Sequence, residues 1–192
     1  MKLVLASGNP GKVREIEAIA HGALELVLQS TLGIAEAEEP HASFVENALA
    51  KARHASRASR LPALADDSGL CVEALGGEPG VHSAYYAGRE GSREARDARN
   101  NARLLSELKD DRRAYYCCLM VLVRRPDDPR PLIAEGIWHG EIAREPRGTN
   151  GFGYDPIFMV TDKGKSMAEL TQHEKALVSH RGRAMRMLAK RL

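Results

Sequence analysis

The apolar residues near the N-terminus change from a continuous run to a helical spacing. Leu3 to Ala6 forms a short apolar run, which is typical of a buried strand. Val13, Ile16, Ile19 and Ala20 then recur at intervals of three and four, which is the spacing of one face of a helix. This segment therefore predicts a strand, a turn and a helix in that order.

Similar patterns predict further elements along the chain. Ser43 and Glu46 have the spacing of a capping box before an alanine-rich helix that extends to about Arg60. The predicted buried stripe of that helix comprises Phe44, Ala48, Ala52 and Ala55. Strands are also predicted at Leu24–Leu28, Ala63–Ala65, Leu70–Val72, Tyr115–Val123, Leu132–Ala143 and Ile157–Val160, and helices at Ser92–Leu108 and from Ser179 to Lys190. Because hairpin and crossover connections are mixed, the pattern predicts one α/β domain, residues 1–192, with a mixed sheet.

The composition is that of an ordinary globular chain and narrows the possible partners. The net charge is +2, so no overall field attracts nucleic acid or an anionic membrane, and any anion must be bound locally. No apolar segment approaches the roughly 20 residues that span a bilayer, and the first apolar run is too short for a secretory signal. Cys71, Cys117 and Cys118 have neither metal-ligand spacing nor the even count of a disulfide framework, which favours a reducing cytoplasm.

The turn at Ser7–Lys12 is a candidate anion site. Asn9 suits a helix N-cap and Pro10 the first helical position, so the backbone N–H groups of the first turn and the Lys12 ammonium would favour an anion. A Walker A loop is excluded because Val13 follows the lysine where that loop has Ser or Thr. An ordinary strand-to-helix turn is the alternative interpretation of this stretch.

Two adjacent carboxylates form the second candidate site. Asp66 and Asp67 lie between two strand-like segments, which predicts that they occupy a break between strands. Since neighbouring residues of an extended chain point to opposite sides, only one of the two is expected to face a site. Carboxylates of this kind suit Mg²⁺, and Glu38 and Glu39 supply a second acidic pair. A solvated acidic turn is the alternative.

Other polar and aromatic residues are candidates for contacts with a nucleotide. Asn47 and Lys51 lie four residues apart and so face the same way on the predicted helix, where Lys51 could contact a phosphate. The loop Gly148–Asp155 lacks the spacing of a dinucleotide-binding loop, but its Phe152 and Tyr154 could stack on a base. Donors that could contact a carbonyl-bearing base edge are Lys175, His180 and Arg181.

In their order along the chain, these stretches closely resemble the inosine triphosphate pyrophosphatase family, whose members are also called XTP/dITP diphosphatases. The matching stretches are SGNPGK at 7–12, FVENALAKA at 44–52, ADDSGL at 65–70, LGGEPGVHSA at 75–84, GFGYDPIF at 151–158 and EKALVSHRG at 174–182. The resemblance implies Mg²⁺-dependent hydrolysis of ITP, dITP and XTP to the monophosphate and pyrophosphate, by a homodimer. It also implies an elongated, two-lobed α/β fold with a long mixed central sheet flanked by helices and a nucleotide cleft between the lobes.

The same resemblance implies roles for individual residues. Asp67 would be the general base and a Mg²⁺ ligand, Glu38 would be the other Mg²⁺ ligand, and Lys51 would reach the phosphates. The triphosphate would lie against Ser7, Gly8, Asn9, Pro10, Gly11 and Lys12. The other substrate contacts would be Ser68, Phe152, Gly153, Tyr154, Asp155, Lys175, His180 and Arg181.

Several positions depart from the family pattern. Pro40-His41 stands where the family usually has Thr-Gly after the acidic pair, which leaves Glu39 as an alternative to Glu38 at the metal. The other departures are Tyr85 for a common arginine, Asn150 for a frequent glycine and Ala176 for a frequent asparagine. None of these changes removes a proposed catalytic group.

Two other functions stay open at this stage. One is a related pyrophosphatase of the septum-inhibitor type, which prefers modified pyrimidine nucleotides. The other is a sensor that binds a purine triphosphate without cleaving it. The GFGYDPIF and SHRG stretches argue against the first, and the intact acidic group argues against the second.

Overall fold

The computed structural model describes residues 2–20 and 24–192, in which strands and helices are mixed along the chain. The strands are β1 (Lys2–Ala6), β2 (Glu25–Leu28), β3 (Ala63–Val72), β4 (Arg113–Val123), β5 (Leu132–Ile142), β6 (Phe158–Val160) and β7 (Lys165–Ser166). The α-helices are α1 (Pro10–Ala20), α2 (Phe44–Ser59), α3 (Arg93–Glu107), α4 (Gln172–Val178) and α5 (His180–Ala189). None of these helices is long and apolar enough to cross a membrane.

The strands pair in a mixed sheet with the order β2-β1-β3-β4-β5-β6-β7. β1 pairs in parallel with both β2 and β3, so that Val4 lies opposite Val27 on one side and Ala63 on the other. β6 pairs antiparallel with both β5 and β7. The continuous apolar run of β1 is explained by this central parallel position, where both faces of a strand are buried. The predicted α/β class and mixed sheet are confirmed.

Two details of the sequence prediction are wrong. β3 is continuous through Asp66 and Asp67, whereas a break between two strands was expected there. The strand continues because both carboxylates are paired with cationic side chains, which offsets the cost of burying them. Phe44, expected in the buried stripe of α2, is only half-buried as the first residue of that helix, and Asn47 is buried instead. The pattern also gave no sign of α4, which has only 7 residues.

The chain is organised in two compact units. The first comprises Met1–Asp67, Cys118–Gly136 and Ser179–Leu192, and the second comprises Ser68–Cys117 and Ile137–Val178. Core residues of the first unit include Leu3, Leu5, Ile16, Ala48, Ala52, Met120 and Leu188. Core residues of the second unit include Leu70, Leu104, Tyr116, Trp138, Phe158 and Met167. Each unit therefore buries apolar side chains of its own.

Helix α5 packs against β5 at Gly136 with no room for a side chain. A Cβ at this position would lie 2.0 Å from the His180 carbonyl oxygen and 2.6 Å from the Ala184 nitrogen. Both are backbone atoms on one face of α5, so neither can rotate away as a side chain could. The glycine thus sets how closely the helix that begins with His180 and Arg181 approaches the strand.

Replacing Gly136 should therefore destabilise the fold. We expect Gly136→Ala to lower the free energy of unfolding by about 1–3 kcal/mol, because overpacking forces the backbone of α5 to move. Chemical denaturation measures the change. Glu141→Ala, at an exposed position of the same strand, is the control and should change it by less than about 0.5 kcal/mol. A Gly136→Ala protein as stable as the parent would contradict the close contact.

Candidate active site

The turn between β1 and α1 is capped by its own asparagine. The Asn9 Oδ1 accepts hydrogen bonds from the Gly11 N–H at 2.9 Å and from the Lys12 N–H at 3.1 Å. The predicted N-cap role of Asn9 is therefore confirmed. The prediction that the first-turn N–H groups are available to an anion is wrong for these two, because the cap uses them. Attraction of an anion to this turn depends on the Lys12 ammonium.

Gly8 allows an acidic side chain to approach the same turn closely. A Cβ at Gly8 would lie 1.4 Å from the Glu36 Oε1, so the Glu36 carboxylate occupies the space that a side chain would fill. Glu36 belongs to residues 35–41, here called the acidic loop, which have no regular secondary structure. The acidic loop therefore lies against the β1–α1 turn.

The Asp66 carboxylate is buried within a charged cluster. Its Oδ2 accepts a hydrogen bond from the Arg181 Nε at 3.1 Å and lies 3.4 Å from the Lys12 Nζ, and its side chain is 0% exposed. Arg181 also donates to the Glu15 carboxylate, so the charges alternate along the cluster. Since α1 supplies Glu15 and Lys12, β3 supplies Asp66 and α5 supplies Arg181, the cluster joins three elements.

These surroundings keep Asp66 ionised. Burial alone would raise the pKa of its carboxyl, but Lys12, Arg181 and Lys51 outweigh burial and hold the pKa well below its usual range. A carboxylate that is this strongly stabilised in its charged form is a weak base. We therefore assign Asp66 to the support of the site rather than to proton transfer.

Asp67 belongs to a second charged cluster. The Lys51 Nζ lies 3.2 Å from the Asp67 Oδ1 and 2.5 Å from the Glu39 Oε1. The Asp67 Oδ2 accepts a hydrogen bond from the Asn47 Nδ2 at 3.2 Å. Because Asn47 and Lys51 are four residues apart on α2, they reach the two carboxylate oxygens from one face of the helix. The adjacent aspartates of β3 thus serve different clusters, as expected from the alternation of side chains along a strand.

The pKa of Asp67 moves in the opposite direction from that of Asp66. Burial raises the pKa of Asp67, and Lys12 and Lys51 only partly offset this effect. Burial alone would lower the pKa of the Lys51 ammonium, but the surrounding carboxylates, with Asp67 first, outweigh burial and raise it. Of the two aspartates, Asp67 is therefore the stronger base, and it lies beside a lysine that stays charged.

The acidic loop contributes Glu39 to this cluster. Glu38 and Glu39 are both exposed, and Glu39 contacts Lys51. The assignment of Glu38 as a metal ligand stays a prediction. Across residues 2–20 and 24–192, no group of three or more His, Cys, Asp or Glu side chains is arranged to hold a metal ion. Mg²⁺ needs only one or two carboxylates, since water and substrate phosphates complete its coordination. The donor set around Asp67 fits that requirement.

In the second unit, a buried ion pair holds the glycine-rich loop. The Lys175 Nζ lies 2.6 Å from the Asp155 Oδ2, and the same oxygen accepts the Phe152 N–H at 3.0 Å. Asp155 and Lys175 are 3% and 6% exposed. The Lys175 ammonium also lies 5.0 Å from the centre of the Phe152 ring. The ion pair therefore fixes the backbone that carries this ring.

Helix α3 holds the neighbouring residue of the loop. The Gly153 N–H donates to the Asp97 Oδ2 at 2.8 Å, and the Gly153 carbonyl oxygen accepts from the Asn101 Nδ2 at 3.1 Å. The Arg93 guanidinium on the same helix lies 4.7 Å from the centre of the Phe152 ring. Helix α3 thus binds both the N–H and the carbonyl oxygen of Gly153.

The two aromatic residues of the loop have different surroundings. Tyr154 is 4% exposed, its ring belongs to the apolar core, and its hydroxyl donates to the Ser83 carbonyl oxygen at 2.9 Å. Phe152 is half-buried. Phe152 is therefore the aromatic side chain of this loop that is accessible for stacking.

The predicted site residues are divided between the two units. The first unit contains Ser7–Lys12, Glu38, Lys51, Asp67, His180 and Arg181, and the second contains Ser68, Phe152–Asp155 and Lys175. His180 and Arg181 are 2% and 3% exposed, and Arg181, predicted as a donor to a base, also holds the Asp66 cluster together.

Sequence reasoning missed three residues that hold the predicted groups in place, which are Glu15, Asp97 and Asn101. Asn47 was singled out by its spacing from Lys51 on one face of α2, but its hydrogen bond to Asp67 was not predicted. Asp97 and Asn101 gave no signal, because their partner Gly153 is 56 and 52 residues away in the sequence.

Comparisons with known proteins agree with the motifs. The family model described as the Ham1 family matches residues 3–191. The chain is 59% identical to the dITP/XTP pyrophosphatase of Burkholderia pseudomallei over 100% of this chain and 93% of the relative. It is 58% identical to the protein of the same name from Ralstonia nicotianae, over 100% of this chain and 96% of the relative. The solved structure of a HAM1 protein from Coxiella burnetii matches with a TM-score of 0.90 at 44% identity, covering 99% of this chain and 97% of that one.

The buried Asp66 cluster predicts a large loss of stability when its carboxylate is removed. We expect Asp66→Asn to lower the free energy of unfolding at neutral pH by about 3–5 kcal/mol, because buried cations lose their partner. Since the pKa of Asp66 is depressed in the folded state, this stabilisation exists above the unfolded-state pKa and is lost as the pH falls. The difference between parent and variant should therefore shrink below about pH 4.

Chemical denaturation at neutral and acidic pH measures both effects. Asp127→Asn is the control, since the Asp127 side chain is 81% exposed, and it should change the stability by less than about 0.5 kcal/mol. An Asp66→Asn protein with the parent's stability at neutral pH would show that the cluster does not hold the elements together.

Proposed function

The chain belongs to the Ham1 family, and on this basis we propose that it hydrolyses the deaminated purine nucleoside triphosphates ITP, dITP and XTP. The products would be the nucleoside monophosphate and pyrophosphate. The resemblance seen in the sequence is confirmed by the family match and by relatives named dITP/XTP pyrophosphatase along the whole chain. The activity, substrates and site roles assigned below are proposals for this chain.

The observation that carries the proposal is the Asp67 cluster. Asp67 is buried, and its two carboxylate oxygens lie 3.2 Å from the Lys51 Nζ and 3.2 Å from the Asn47 Nδ2. In the proposed reaction, the Asp67 carboxylate takes a proton from water while the water oxygen bonds to phosphorus. The phosphorus–oxygen bond to the leaving group breaks, and its electron pair stays on the leaving oxygen. A positioned base of this kind contributes about 10²- to 10⁴-fold to a rate.

The charged groups around Asp67 suit a metal and a polyphosphate. Asp67 and an acidic-loop residue, Glu38 or Glu39, would hold Mg²⁺, which when bound supplies neutralisation of charge on the phosphate oxygens. Lys12 and Lys51 would stabilise the negative charge that develops on the leaving pyrophosphate. Ser7–Lys12 would hold the triphosphate.

Selection between purine bases would depend on hydrogen-bond donors that face the six-position of the purine. Hypoxanthine and xanthine carry a carbonyl at the six-position, whereas adenine carries an amino group that would face donors without an acceptor. We assign the base to the loop Phe152–Asp155, where Phe152 offers a ring for stacking, with Ser68 as a further contact. The donors would be Lys175, His180 and Arg181. Guanine shares the six-carbonyl, so its rejection must depend on the two-position.

Removal of these triphosphates would keep deaminated purines out of DNA and RNA. The sequence resemblance supports a homodimer as the acting form, and the cysteine content supports a cytoplasmic location.

A substrate panel tests the reaction. Purified protein with Mg²⁺ would be assayed with ITP, dITP, XTP, dUTP, ATP and GTP, with separate detection of pyrophosphate and orthophosphate. We expect pyrophosphate from ITP, dITP and XTP, with ATP and GTP at least about 100-fold slower. Hydrolysis in ¹⁸O-labelled water then identifies the phosphorus attacked, because the label enters the fragment whose phosphorus the water joins. Preference for dUTP would favour the pyrimidine alternative, and tight ITP binding without turnover would favour the sensor.

The role of Asp67 is tested by removing its charge. We expect Asp67→Asn to lower kcat for ITP by about 10²- to 10⁴-fold while ITP still binds, because the amide cannot accept the proton of water. Rapid-quench kinetics and calorimetry measure the two properties. Asp128→Asn is a matched control, since Asp128 is 2% exposed and binds backbone N–H groups in the β4–β5 turn. An active Asp67→Asn enzyme would move the base role to another residue.

A further inference from the structure

We propose that Asn47 is a positioning residue, which fixes the orientation of the Asp67 carboxylate and holds the acidic loop beside it. The inference rests on the proposed hydrolysis and assigns to this reaction a buried residue that is not among the predicted substrate contacts. Asn47 lies on α2 and is 1% exposed. An amide that is buried to this extent needs partners for its polar atoms.

The amide of Asn47 forms a two-point contact with the backbone of the acidic loop. Its Oδ1 accepts the His41 N–H at 3.0 Å, and its Nδ2 donates to the His41 carbonyl oxygen at 3.2 Å. The same Nδ2 donates to the Asp67 Oδ2 at 3.2 Å. Both N–H groups of the amide are thus used, one on the loop and one on the carboxylate.

These contacts close a ring with the charged pair on the other side of the carboxylate. From Asp67 the ring passes through Lys51 to Glu39, along the loop to His41, and through Asn47 back to Asp67. One oxygen of the carboxylate is bound by an ammonium and the other by a neutral amide. With both oxygens held from one helix face, rotation of the carboxylate about its χ2 angle is restricted.

The chemistry of an amide explains why asparagine suits this position. It must accept one backbone N–H and donate to two oxygens, which neither a carboxylate nor an ammonium can do. A lysine would add a positive charge that opposes the basicity of Asp67, and an aspartate would place two carboxylates in contact. Asparagine orients Asp67 without changing the charge of the cluster. Groups that orient a catalytic or metal-binding side chain typically matter by about 10- to 100-fold.

The test uses two variants and a control on the same helix. Asn47→Ala removes the whole amide, and Asn47→Asp keeps its shape and its acceptor but loses both donors. Ser56→Ala removes a different buried hydrogen bond of α2, from the Ser56 Oγ to the Leu61 carbonyl oxygen at 2.8 Å. The Ser56 change controls for destabilisation of the helix outside the site.

Steady-state kinetics with ITP provide the first readout. We expect both Asn47 variants to lower kcat by about 10- to 100-fold, with KM within about threefold of the parent because Asn47 does not contact the nucleotide. Ser56→Ala should keep the parent's kcat. Parent-like kcat in both Asn47 variants, or a loss that matches only the fraction of unfolded protein, would overturn the proposal.

Hydrogen exchange without metal or nucleotide provides the second readout. The amide of His41 should exchange about tenfold faster in Asn47→Ala than in the parent, because its acceptor is gone, and should be unchanged in Ser56→Ala. Equal exchange in all three proteins would overturn the contact with the loop. A parent protein that hydrolysed none of the triphosphates would contradict the proposed function. The hydrogen-exchange comparison would still decide whether Asn47 holds the acidic loop.

Discussion

The buried carboxylate of Asp66 is the interaction on which the first unit's part of the site depends. It holds Lys12 of α1 and Arg181 of α5 against β3, and Arg181 is held in turn by Glu15. A shift of any of these elements would leave an ion buried without its partner, which is strongly unfavourable. The side chain of Lys12 is therefore held at the β1–α1 turn, and the backbone of Asp67, the next residue of β3, is fixed with it.

The separation of the two aspartates follows from that arrangement. Neighbouring residues on a strand project to opposite faces, so one carboxylate can be enclosed by cations while the next meets a different set of groups. Asp66 receives two cations and stays ionised, whereas burial raises the pKa of Asp67. A pair of identical side chains thereby obtains two roles, and the difference comes from the partners rather than from the residue type.

The sequence predicted those parts of the fold whose signal is local. The apolar pattern identified α1, β4 and β5, and the serine caps placed the starts of α2 and α5 at Ser43 and Ser179. The continuity of β3 was not predictable in this way, because the cations that make it possible come from distant segments. The hydrogen bond between Arg181 and Glu15 was not predictable either, since the two residues are 166 positions apart in the sequence. Contacts of this type are fixed by tertiary packing and leave no trace in a window of a few residues.

The charge balance of the two clusters explains why they are suited to different tasks. Around Asp66, the ion pairs of the described residues join two carboxylates, those of Asp66 and Glu15, to two cations, those of Lys12 and Arg181. Around Asp67, the ion pairs of the described residues set the negative charges of two carboxylates, those of Asp67 and Glu39, against the Lys51 ammonium beside an exposed loop. A divalent cation that arrives with a polyphosphate is attracted to such a charge. Asn47 preserves this property, because an amide can hold a carboxylate in place without neutralising it.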